Sequence, residues 1–138
     1  MNRTLGVDVG TVRVGIALSD PLGFTAQPFE VIERKKTDPF ARIASLVTEH
    51  EVSLIVVGYP LTLAGEVGPA AQSVDVFIAE LARRVSVPIE RWDERLTTAA
   101  AQRSMIEGGA RRAERRAGID KVAAALLLQS YLDGKAHA

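Results

Sequence analysis

Residues 5–20 read LGVDVGTVRVGIALSD, and the fold follows from them. Two apolar runs, 4–9 and 12–19, flank Gly10-Thr11, the pattern of a tight β-hairpin. Side chains alternate between the faces of a strand, so Asp8 shares a face with Gly6 and Gly10. A carboxylate inside an apolar strand is costly unless something pairs with it. Glycines on the same face leave room for a ligand or another backbone to approach. Asp often serves a turn, but Asp8 lies within the strand and reads as a functional anchor.

Outward from the hairpin, Pro21-Leu22-Gly23 marks a turn and 27–33 a third strand, closing an antiparallel meander. Thr37 or Asp38 caps a helix with Pro39 at its first position. Phe40, Ile43, Ala44 and Val47 recur at helical spacing and form its buried stripe. Residues 52–57, VSLIVV, form a nearly unbroken apolar run suited to a central strand covered on both faces, and Gly58-Tyr59-Pro60 ends it. A second helix starts at about Pro69, with Val74, Phe77, Ile78, Leu81 and Val85 on one face. Residues 87–92 form a fifth strand, with Asp93-Glu94-Arg95 at its C-terminal end. A third helix begins at Thr97 or Thr98 and stops at Gly108-Gly109. The last starts near Asp120, with Ala124, Leu127, Leu128 and Tyr131 as its apolar stripe. Right-handed crossovers after the meander place the strands in the order 3-2-1-4-5, a mixed α/β sheet with strand 2 antiparallel and helices on both faces.

A chain of 138 residues fits one domain with one sizeable core. It has no cysteine, which excludes disulfides and thiolate-bound metals. Neither a signal-peptide apolar region nor a run approaching the roughly 20 residues that span a bilayer is present, so a cytoplasmic protein is expected. Lys plus Arg and Asp plus Glu number 17 each, which argues against indiscriminate coating of nucleic acid. Charge is nevertheless clustered. Arg111, Arg112, Arg115 and Arg116 crowd one segment and read as a backbone-binding patch. Arg34-Lys35-Lys36, after the third strand, reads as a solvated loop.

The C-terminal ends of the first, fourth and fifth strands share one edge of such a sheet. Asp8 and the Asp93-Glu94 pair lie there, two strand spacings of about 4.8 Å apart. That gap suits carboxylates reaching toward one or two divalent cations. With oxygen donors only, Mg²⁺ or Mn²⁺ is favoured over zinc. Asp120 is the candidate third acid; it is equally a helix N-cap, and the two roles are compatible. Arg13 and Arg95 are candidate phosphate holders or ion-pair partners of the nearby acids. Tyr59, in the turn facing the site, is a candidate stacking platform, whereas Trp92 reads as core.

The segments VDVGTVRVGIALSD, VVGYPL, DERLTT and IDKVAAALLLQSYL, in that order across nearly the whole chain, resemble the YqgF (RuvX) family. That resemblance implies a single ribonuclease H-like domain, 1–138, similar to the RuvC Holliday junction resolvases. It also implies a metal-dependent nuclease that matures the 5′ end of pre-16S ribosomal RNA. Asp8, Glu94 and Asp120 then hold the metal, with Asp93 replacing or assisting Glu94. The pattern departs from RuvC-type resolvases at Gly58, where they carry a glutamate on the fourth strand. The substrate expected is nucleic acid, RNA ahead of four-way DNA, handled by a monomer or weak homodimer. The DVGT hairpin also resembles that of sugar kinases and Hsp70-type ATPases, but those need two such domains around a cleft.

Overall fold

The structure is a computed structural model and describes residues 2–96 and 113–136, the side chains of 113–119 and 136 excepted. The hairpin pairs β1 (Arg3–Val9) with β2 (Arg13–Ser19), and β3 (Ala26–Glu33) adds antiparallel to β2. α1 (Pro39–Glu49) leads to β4 (Val52–Tyr59), which runs parallel to β1. α2 (Pro69–Ala82) leads to β5 (Ile89–Asp93), parallel to β4 and followed by a 3₁₀ turn, Glu94–Leu96. The last helix, α3, spans Ala113–Ala136. The sheet order is β3-β2-β1-β4-β5, as the crossover rule requires.

Local chemistry explains most boundaries. The Asp38 carboxylate caps α1 by accepting from the Phe40 N–H at 3.0 Å, ahead of Pro39. β4 is buried on both faces at Ile55, Val56 and Val57. β5 begins at residue 89 rather than 87, since Pro88 has no N–H to give the ladder; its carbonyl accepts from Ile55 instead. α2 ends at Ala82, so Val85 reaches the core from the connection rather than from the helix.

The largest departure is α3. It is helical from Ala113, so Asp120 lies within it and is not its N-cap. Ala, Glu and Arg before Asp120 are good helix formers, and Gly118 costs only about 1 kcal/mol within a long helix. The helix expected from Thr97 or Thr98 to Gly108-Gly109 lies outside the described residues.

Two packed layers flank the sheet. Leu5, Val7, Val14 and Ile16 face α1 and α2, meeting Ile43, Leu46, Phe77 and Leu81. Ala17 and Val56, on the other face, meet Ala124, Leu128 and Tyr131 of α3. A Cβ on Gly6 would stand 2.8 Å from the Leu128 Cβ, so glycine there lets α3 lie close. Among the described residues no helix is long and apolar enough to cross a membrane.

Candidate active site

Asp8 follows Gly6 on the α3 face of β1 and is only 4% exposed. Its neighbours on both adjoining strands are glycines. Gly15 is its direct partner on β2, and Gly58 stands beside it on β4, one step past the Val7–Val57 pair. The space at each is filled by another acidic residue. A Cβ on Gly58 would lie 2.7 Å from the Glu94 Oε1, and one on Gly15 would overlap the Asp120 backbone carbonyl. Glu94, Asp8 and Asp120 therefore lie in a row over β4, β1 and β2.

Each carboxylate has a different setting. Asp120 is held by Arg13, whose Nε donates to Oδ2 at 2.9 Å; the Arg13 guanidinium also lies 3.9 Å from Glu33, its cross-strand partner. The Asp93 carboxylate turns to Arg95, which donates to it through Nε and Nη2, the latter at 2.7 Å, and this lowers its pKa. Glu94, one residue on, is half-buried. Burial first, and then the charge of Asp93, raise its pKa. Asp8 and Glu94 line one cleft of about 640 Å³ together with Gly10, Thr11, Arg34 and Pro60. In the adjacent pair, Glu94 thus faces the cleft and Asp93 faces Arg95.

Among the described residues no three His, Asp or Glu side chains are grouped closely enough to hold an ion by themselves. The donor chemistry still fits a hard cation. Two carboxylates share the cleft, and neither Cys nor His is on its wall. The Glu94 carboxylate makes no hydrogen bond or ion pair among the described residues. Its raised pKa expresses a negative charge that a cation would stabilise.

The other residues singled out from sequence divide clearly. Arg13 and Arg95 both sit in ion pairs with acids of this region. The Tyr59 hydroxyl donates to Asp75 at 2.8 Å and its ring lies under Arg91, off the cleft wall. Arg115 and Arg116 fall in the first turn of α3, and Arg111 and Arg112 lie outside the described residues. Arg34 was missed: the solvated-loop reading holds for the exposed Lys35 and Lys36, but Arg34 is on the cleft wall. The signal lay in the meander itself, since β3 must end beside the β1–β2 turn, and the Arg34 N–H donates to the Val12 carbonyl there.

The profile of a family described as "RuvX: Holliday junction resolvase" matches residues 2–134. The chain belongs to the RuvX family. A relative from Halalkalibacterium halodurans, named "Putative pre-16S rRNA nuclease", is 50% identical over 134 residues, covering 95% of this chain and 96% of its own. One of the same name from Lachnospira eligens is 46% identical over 137 residues, covering 96% and 98%. RuvC from T. thermophilus, solved in complex with Holliday junction substrate, matches this RuvX chain with a TM-score of 0.52. It covers 98% of this chain and 97% of its own, and at 20% identity the likeness is one of fold. That fold is ribonuclease H-like.

Proposed function

We propose that this RuvX chain is a single-domain, divalent-metal-dependent nuclease of the cytoplasm. It hydrolyses phosphodiester bonds in RNA and processes the 5′ end of pre-16S ribosomal RNA, using Mg²⁺ or Mn²⁺, as a monomer or weak homodimer. The supporting observation is the filling of both glycine gaps beside Asp8, one by the Glu94 carboxylate and the other by the Asp120 backbone. The names of the relatives supply the substrate.

In this reading Asp8 and Glu94 give carboxylate oxygens to the cations and Asp120 completes the set from α3, while Asp93 fixes Arg95. When bound, the cations supply an activated water and stabilise the leaving oxygen of an in-line displacement. Arg13 orients the Asp120 carboxylate and offsets the repulsion among the acids. Gly58 keeps the space that Glu94 occupies.

The family description favours a second reading, in which the same chemistry cuts a four-way DNA junction. Two symmetric cuts require two copies of the site, hence a dimer. The test is a substrate panel with Mg²⁺ and with Mn²⁺: single-stranded RNA, a 16S fragment with a 5′ extension, and a four-way DNA junction. Cleavage of the RNAs is expected, reduced at least about 10³-fold in Asp8→Asn, the scale of several kcal/mol of lost transition-state stabilisation. Junction cutting without RNA cutting would move the assignment to the second reading. Binding without cleavage of any substrate would make the chain a non-catalytic RNA-binding module.

A further inference from the structure

Arg34 is the arginine on the cleft wall among the described residues. Arg13, Arg42, Arg84, Arg91 and Arg95 each pair with a carboxylate. Arg34 makes no ion pair among the described residues, although it shares the cleft wall with Asp8 and Glu94. Its position is nevertheless fixed. Nη1 donates to the Gly10 carbonyl at 2.8 Å, and the guanidinium lies 5.5 Å from the centre of the Phe77 ring. The backbone N–H is tied to Val12. A guanidinium carries five N–H donors, and the bond to Gly10 uses one of them.

We propose that Arg34 holds a backbone phosphate of the nucleic-acid strand, next to the phosphate that reacts at Asp8 and Glu94. The electrostatics of the cleft call for such a group. Two carboxylates repel a polyanion, and Arg34 is the Lys or Arg on this wall among the described residues. Gly10 lies two residues beyond Asp8, about 6.6 Å along an extended strand. The guanidinium that holds its carbonyl is therefore close to the acids without being paired with them. The cation–π contact with Phe77 and the bond to Gly10 restrict its rotamers before the substrate arrives, which lowers the entropy cost of gripping a phosphate. A backbone contact of this kind positions the strand and carries no sequence information.

The proposal rests on the nuclease reading, and a binding assay separates the two. A 5′-fluorescein-labelled single-stranded RNA 20-mer is titrated by anisotropy over a salt series, in the Asp8→Asn background so that the strand stays intact. Arg34→Gln keeps a donor for Gly10 but removes the charge. It is expected to weaken binding about tenfold, the scale of one charge-assisted hydrogen bond. It should also lower the log–log salt slope by about 0.7, one phosphate contact. Lys36→Gln, on the exposed loop, should leave both unchanged. Arg34→Lys, which keeps the charge but not the planar fork of donors, should retain the slope. An unaltered slope in Arg34→Gln, an equal loss in Lys36→Gln, or a lost slope in folded Arg34→Lys would each overturn the proposal. RNA that binds through Arg34 but is never cut by the parent protein would defeat the nuclease reading alone.

Discussion

Beneath α1 and α2 the sheet presents Leu5, Val7, Val14 and Ile16; beneath α3 the same strands present Gly6, Gly15 and Ala17. Large branched side chains on the first face fill the space between sheet and helices and remove apolar area from water. Small residues on the second bring α3 down until its backbone meets the strands. The first face contributes most of the burial, and the second sets distances. The acids lie on the second, where a carbonyl of α3 rests over the partner of Asp8.

Breaking this contrast tests it. The largest stability effect is expected for Gly15→Ala. Its new methyl would meet the Asp120 carbonyl and the helix backbone behind it, which cannot swing aside. A loss of roughly 3 kcal/mol in urea denaturation is expected, the upper range of overpacking. A fully stable variant would show that α3 is not seated as described. Gly58→Ala should behave differently, because its methyl would meet side-chain ends rather than backbone, the Glu94 carboxylate at 2.7 Å and the Leu127 Cδ2 at 3.0 Å. Stability should change by less than about 1 kcal/mol, while cleavage falls about tenfold as the carboxylate is pushed from its place. Equal effects of the two substitutions on stability would erase the distinction between the two flanks of Asp8.

The smallest expected effect is on pH dependence. Folding raises the Glu94 pKa above 4.5, so the native state holds this proton more tightly than the unfolded chain does. Its contribution to stability is therefore complete below the ordinary glutamate range and is lost as pH rises through the elevated value. Urea midpoints of the metal-free protein should show this decline, and Glu94→Gln should lack it. Added Mg²⁺ should counter it, since the ionised form is the one that binds.

The sequence disclosed the sheet almost completely. Alternation around Gly10-Thr11, the VSLIVV run and the crossover rule were sufficient for strand order, because each is a local pattern with one favourable topology. The start of α3 was not legible. An aspartate that can cap a helix reads the same in sequence as one inside it, and it is the helical backbone from Ala113 onward that places Asp120 inside. The rivalry between Asp93 and Glu94 was also invisible, as it depends on which of two adjacent side chains Arg95 takes. Arg34 was overlooked because a basic triplet after a strand looks uniform, whereas only its first member is turned into the cleft by pairing with the hairpin.

Trp92, the chain's one tryptophan, is the penultimate residue of its strand, two before Glu94. Its indole donates to the Ser130 hydroxyl, which in turn donates to the Leu96 carbonyl, and Tyr131 packs edge-on against the ring. The segment bearing Glu94 is thereby buttoned to the same helix that bears Asp120. The molecule thus carries a built-in fluorophore at that junction, whose emission follows the seating of one acid-bearing segment on the other.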